Sequence, residues 1–279
     1  MNYLITPLER PHRDAALDLL FYSRRHHTQL DWQSAGRWLE QEGIATALAW
    51  QGEQLIGMMG MSAPADGTAW VRLLAVHDAH NPKDILPLLW RALCQQTTAR
   101  VAYWLVTERW VSGDLPALGF RYQEDVIMMS RVGTTLPPAP TAYVSVHNAY
   151  LEHVAELVRV DHAAFPPEWR MTADELRHAQ RHATACTLAS DDTGAIVGYH
   201  LSTRHQNTAH LARLAVLPSQ QGKGIGASLL RQMIEGYLRR GVNAISVNTQ
   251  ASNARSQALY ARYGFVRNGY DLPIWRCVL

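Results

Sequence analysis

The stretch LARLAVLPSQQGKGIGASLLR, residues 211 to 231, restricts the fold of this chain more than any other. Leu211 to Val216 is a short apolar run closed by Pro218, too short for several helical turns and suited to a buried strand. Gln221-Gly222-Lys223-Gly224-Ile225-Gly226 comes next. Beyond it, Leu229, Leu230, Met233, Ile234, Tyr237 and Leu238 recur at helical spacing up to Gly241, a residue favoured just past a helix end. The stretch reads as strand, glycine turn, helix. Its glycines therefore stand at a helix N-terminus, where backbone N–H groups lack an intrahelical partner and point outward with the positive end of the helix dipole. Phosphate oxygens bind well there, and glycine removes the side chains that would block their approach.

Two familiar phosphate motifs do not fit. A Walker loop needs Ser or Thr after Gly-Lys, and Gly224 and Ile225 follow Lys223 here. A dinucleotide fingerprint asks for an acidic residue about 20 positions further on, and residues 240 to 248 contain none. The chain continues instead with a second strand candidate, Ala244 to Val247, then Asn253-Ala254-Arg255-Ser256-Gln257-Ala258-Leu259-Tyr260, then Tyr263-Gly264-Phe265. With Gln221-x-x-Gly224-x-Gly226 in front, this order resembles the GNAT superfamily, the acyl-CoA-dependent N-acyltransferases.

The resemblance implies an α/β fold, a mixed central sheet flanked by helices, and acetyl-CoA as cosubstrate with no metal. It implies a cofactor site made of Leu214, Ala215 and Val216 on the fourth strand, Gln221, Gly222, Lys223, Gly224, Ile225 and Gly226 in the loop, and Asn253 and Ser256 beyond it. Amides at Leu214 and Val216 would polarise the thioester carbonyl where the fourth and fifth strands splay apart. Tyr260 takes the place of the family's general acid, and a phenol with an ordinary pKa near 10 is protonated at neutral pH. His210 stands where some members carry a basic Glu, and histidine is a competent base near neutrality. The acceptor, an amine-bearing small molecule or a protein N-terminus, would lie near Phe165-Pro166-Pro167-Glu168-Trp169-Arg170. A non-catalytic acyl-CoA sensor is the alternative, although a sensor needs no acid.

The chain also repeats itself. Tyr3-Leu4-Ile5-Thr6 matches Tyr143-Val144-Ser145-Val146, Ile56-Gly57 matches Val197-Gly198, Leu74-Ala75-Val76 matches Leu214-Ala215-Val216, and Gly119-Phe120 matches Gly264-Phe265, at offsets of 140, 141, 140 and 145. Between the copies lies GTTLPPAPTA, uncharged and proline-rich, which reads as a linker. The expected organisation is two tandem GNAT-type domains, 1–132 and 143–279, joined by 133–142. In the first copy Asn81-Pro82-Lys83-Asp84 replaces the glycine loop, so a donor is lost and a negative charge gained, and Leu115 stands where the second copy has Tyr260. That copy is expected to lack a cofactor site.

Charge sharpens the same contrast. Residues 1–132 carry 12 Arg and Lys against 14 Asp and Glu, whereas residues 133–279 carry 14 against 10, so the basic half holds the glycine loop. A net charge of +2 is far too small to argue for nucleic acid. No apolar run reaches the roughly 18 residues of a membrane span, and the first residues lack the pattern of a signal peptide, so a cytoplasmic protein without membrane contact is expected. Cys94, Cys186 and Cys277 are too few and too scattered for a disulfide framework. His77 with His80, and His178 with His182, each lack a third ligand nearby in sequence and read as surface histidines.

Overall fold

The computed structural model describes residues 3–142 and 144–279; Tyr143, the expected start of the second copy, lies outside the described residues. The chain forms two compact units, Met1–Glu124 with Leu272–Leu279, and Asp125–Asp271.

The first unit runs β1 (Leu4–Thr6), α1 (Arg13–Tyr22), β2 (Arg25–Thr28), α2 (Ala35–Trp38), β3 (Ala45–Gln51), β4 (Gln54–Met61), β5 (Thr68–Val76), α3 (Pro82–Gln96) and β6 (Val101–Leu105). Strands β1, β3, β4 and β5 pair antiparallel in that order, and β6 adds parallel to β5 over Thr68–Trp70 only. Beyond that point β2 takes the edge of β5, with His27 opposite Leu74 and Arg25 opposite Val76. The amphipathic α3 covers one face through Ile85, Leu89 and Trp90, packed with Ile56, Leu74 and Trp104. Leu19, Leu20 and Trp38 cover the other, against Met58 and Leu73. Among the described residues no α-helix stands between β6 and the next strand. Only 3-10 turns at Arg109–Val111 and Leu115–Leu118 are present, because Gly113 and Pro116 leave too short an uninterrupted run for a helix.

β7 (Arg121–Val132) passes into the second unit at Asp125. There follow β8 (Ser145–Asn148), α4 (Val154–Ala164), α5 (Ala173–His182), β9 (Ala185–Ser190), β10 (Ile196–His205), β11 (Thr208–Val216), α6 (Ile225–Leu238), β12 (Ala244–Gln250), α7 (Ala254–Arg262), β13 (Val266–Arg267) and, back in the first unit, β14 (Leu272–Val278). β8 to β11 pair antiparallel in sequence order and β12 runs parallel to β11. Helices α6 and α7 close one face through Leu230, Met233, Ile234, Tyr237 and Tyr260 over Leu211, Ile245 and Val247. Gly57 and Gly198 mark the repeat structurally. A Cβ would stand 2.7 Å from Ile85 at the first and 2.8 Å from the Ala215 carbonyl at the second, so each copy needs glycine where strand and neighbour approach closely.

Each sheet is completed by a strand that chain order assigns to the other half. β7 pairs with β12, Val126 opposite Gln250 through Val132 opposite Ala244, and β14 pairs with β6, Ile274 opposite Leu105. The division expected at 132 and 143 shifts accordingly. Residues 125–142 are part of the second unit, where Ile127 and Met129 join its core. The stretch read as a linker is fastened there too: the Arg131 guanidinium donates to the carbonyls of Gly133 and Thr135, and Arg231 Nε donates to the Pro137 carbonyl at 3.0 Å. An alternating apolar pattern announces a strand without saying which edge it will join. Among the described residues no helix is long and apolar enough to cross a membrane.

Candidate functional site

β11 and β12 run side by side only from Thr208 opposite Ala244 to Leu211 opposite Val247. From Ala212 onward β11 parts from β12. At the point of parting its register against β10 slips, Leu201 facing Arg213 and Ser202 facing Leu211, which makes Ala212 a β-bulge. Which backbone groups face the opening is set by strand alternation. Leu217 N–H donates to Val197 O on the β10 side at 2.9 Å. Successive residues of a strand present their amides to opposite edges, so Leu214 and Val216 direct theirs into the opening, while Ala215 turns its backbone groups to β10.

From the end of β11 the chain passes through a 3-10 turn, Pro218–Gln220, into the glycine loop. One side chain ties the pieces together. Gln221 Nε2 donates to Val216 O at 3.0 Å, and Gln221 Oε1 accepts from Arg255 Nη1 in the first turn of α7. Gly224 is the N-cap of α6 at φ 82°, and a Cβ there would stand 3.0 Å from the Thr141 carbonyl, so conformation and space both call for glycine. Ser228 N–H bonds back to Gly224 O at 2.9 Å. The amides of Ile225, Gly226 and Ala227 are thus those that a helix leaves without an intrahelical acceptor. Gly222, at φ 84°, and Lys223 form the exposed rim, where Lys223 Nζ donates to Gln220 Oε1 at 2.7 Å.

Asn253 caps α7, its Oδ1 accepting from Ser256 N–H at 3.1 Å. One turn later Tyr260 is buried, its ring 5.8 Å from Phe265. Burial pushes the phenol pKa up, and the Ser256 hydroxyl acts in the opposite direction, so the group stays protonated across the neutral range. His210 lies on the paired part of β11, two residues before the bulge, its Nδ1 2.9 Å from Ser246 Oγ on β12. The loop and α7 residues are therefore brought together around the end of β11, with His210 on the same strand.

Sequence reasoning passed over a cluster on the other face of the sheet. Asp161 of α4 is fully buried, and its carboxylate accepts from Tyr199 Oη (2.5 Å), Arg213 Nε (2.7 Å), Arg213 Nη2 (2.8 Å) and Met171 N–H (2.9 Å). The Arg213 guanidinium also donates to the Trp169 carbonyl and lies 3.7 Å from the centre of the Phe165 ring. Burial, more than the charges beside it, raises the Tyr199 pKa, so its hydroxyl remains a donor. A signal was present: Asp161 falls in phase with the buried Val154 and Leu157, where helical periodicity expects an apolar residue.

The chain is similar to known proteins. Residues 154–265 match the Acetyltransferase (GNAT) family. The chain is 26% identical to mycothiol acetyltransferase of Propionibacterium freudenreichii subsp. shermanii, over 95% of this chain and 90% of that one. It is also 26% identical to mycothiol acetyltransferase of Mycobacterium leprae, over 78% of each. Among solved structures, a tandem GNAT protein from the clavulanic acid biosynthesis pathway superposes with a TM-score of 0.67 at 17% identity, over 99% of this chain and 98% of that one. A GCN5-related N-acetyltransferase from Sphaerobacter thermophilus does so with a TM-score of 0.64 at 16% identity, over 98% and 95%. Residues 154–265, which include the glycine loop and α7, are a GNAT acetyltransferase domain, and the protein is an acyltransferase of that type.

Proposed function

We propose that the second unit binds acetyl-CoA along the free edge of β11 and transfers its acetyl group to an amine, in a small molecule or at a protein N-terminus. The observation that carries this reading is the continuity of donors. Inward amides of Leu214 and Val216 lead directly to the loop Gln221–Gly226 and the first turn of α6. A pantetheine arm is a chain of amides that can pair with a strand edge, and a pyrophosphate suits a helix N-terminus. The thioester supplies an activated acyl group. Leu214 and Val216 N–H would stabilise charge on its carbonyl oxygen, and Tyr260 would protonate the departing thiolate. Asn253 keeps its side-chain amide for the pantetheine while its carbonyl oxygen caps α7. Ser256 serves at the cofactor edge beside Tyr260, and His210 receives the amine proton, directly or through water.

The similarity to mycothiol acetyltransferases, over 95% of this chain in one case and 78% in another, favours a small thiol-bearing amine among possible acceptors. The first unit, residues 1–124 with 272–279, is proposed to hold no cofactor. Calorimetric titration with acetyl-CoA tests the reading and is expected to give one site per chain. Two equivalent sites, or none, would refute it. Incubation with acetyl-CoA and a panel of mycothiol lacking its acetyl group, glucosamine and an alanine-initiated peptide, read by mass spectrometry, then identifies the acceptor class.

A further inference from the structure

We infer that Asp161 and Arg213 are a positioning pair that holds the segment Phe165–Met171 against β11 beside the bulge, and so determine where the acceptor amine meets the thioester. The inference rests on the proposed acetyl transfer in the second unit and adds residues to it.

The geometry carries it in three steps. Arg213 is the residue between the bulge at Ala212 and Leu214, whose amide faces the opening, so whatever holds Arg213 holds that part of the strand. The guanidinium is fixed from three sides: a two-point bond to Asp161, a bond to the Trp169 carbonyl, and the Phe165 ring against its face. Asp161 in turn accepts from Met171 N–H at 2.9 Å, so both ends of the segment are bound to one ion pair. Such an arrangement requires arginine. Lysine has neither the planar fork that meets a carboxylate at two points nor the flat face that stacks on a ring.

Burying a full carboxylate and its partner is a poor way to gain stability, because well-packed apolar residues of similar size often do as well or better. The pair is better explained by what it orients. Apart from it, Phe165–Met171 is an irregular segment with a single short turn, Pro167–Trp169, a bond from Arg170 Nε to the Phe165 carbonyl at 3.2 Å and a contact of His162 Nε2 with the Met171 carbonyl at 3.0 Å. With it, the segment has a defined position on the strand that carries the proposed acyl site.

The test uses the full chain with Arg213→Lys, which keeps the charge and most of the volume. Hydrogen exchange without ligand is expected to show amides of residues 165–171 exchanging at least about 10-fold faster, with α6 unchanged. Calorimetry is expected to show acetyl-CoA affinity within about twofold of wild type, while KM for alaninamide, used as the acceptor probe, rises at least about 10-fold at nearly constant kcat. Asp161→Asn should behave alike, and Tyr199→Phe, which removes one donor of four, should fall between. Unchanged exchange, or faster exchange with an unchanged KM, would overturn the inference. A parallel fall in acetyl-CoA affinity, kcat and melting temperature would reduce the pair to a structural one. A wild-type chain that bound no acetyl-CoA would instead refute the proposed acetyl transfer, and the exchange experiment would still decide whether the pair fixes the segment.

Discussion

The matching strands of the two units, β5 with Leu74-Ala75-Val76 and β11 with Leu214-Ala215-Val216, invite comparison because the same motif meets different surroundings in each. His77 N–H donates to Ile56 O in the first unit at 2.9 Å, just as Leu217 N–H donates to Val197 O in the second at 2.9 Å. Leu74 and Val76 therefore turn their amides to the same edge as Leu214 and Val216. In the first unit that edge is taken: β2 lies along it, with Gln29 N–H continuing the ladder to Arg72 O at 2.9 Å. In the second unit the chain after α4 forms the 3-10 turn Pro167–Trp169 and α5, and contributes no such strand. The first unit has filled with its own backbone the slot that the second is proposed to offer to pantetheine. The proposed absence of a cofactor from the first unit would thus rest on the strand edge as well as on the loop.

The largest expected effect comes from the proposed acid, Tyr260, in whose place the first unit has Leu115. Tyr260→Phe should lower kcat by about 10² to 10⁴ while leaving acetyl-CoA affinity nearly intact. Full activity in that variant would remove Tyr260 from the mechanism. Next comes the loop. Gly226→Asp brings to the second unit the kind of charge that Asp84 supplies in the first, and should weaken acetyl-CoA binding by at least about 100-fold. Gly226 is a cleaner position than Gly224, since its Cβ would meet only Leu259 at 3.5 Å and Val216 at 3.7 Å, ordinary contacts. Wild-type affinity would mean that the loop does not hold phosphate.

A third expectation concerns stability, and each unit has its own reporter. Burial lowers the pKa of His27, on β2, and of His200, on β10, from 6.5 to about 4. Both rings are held neutral in the folded state and protonate more readily in the unfolded one. The stability this provides is complete above 6.5 and is lost as pH falls from there towards about 4. Between about pH 7.5 and about pH 5 the loss should be about 2 kcal/mol per histidine. Denaturant unfolding at the two pH values measures it. His27→Leu should flatten the first unit's share and His200→Leu the second's; a slope surviving both would assign the effect elsewhere. The smallest effect is expected of His210→Gln. It should cost about tenfold in kcat/KM, because water can relay the proton in its place. Unchanged kcat/KM would leave the base to another group.

What was legible in the sequence was whatever is encoded locally. The strand, glycine loop and α6 come from one continuous stretch, and Asn253 and Tyr260 lie on one short helix, so spacing alone arranges them. The repeat was legible for the same reason, through pairs such as Ile56-Gly57 and Val197-Gly198. What was missed depends on partners far apart in the chain. Arg-His-His-Thr at 25–28 carries no strand signal, and its pairing comes from the free edge of β5. Asp161 and Arg213 are separated by 52 positions, and neither residue announces the other. The exchange of β7 and β14 was hidden because alternation gives a strand's faces and not its neighbours.

That exchange also sets an order of events during synthesis. The second unit, 125–271, is one uninterrupted stretch, all of it present once residue 271 has emerged. The first unit begins earlier but finishes last, because β6 remains an uncovered edge until β14 arrives. The half translated first must therefore keep an open, apolar strand exposed for the time needed to make 147 further residues, from Asp125 to Asp271, and only then can it close.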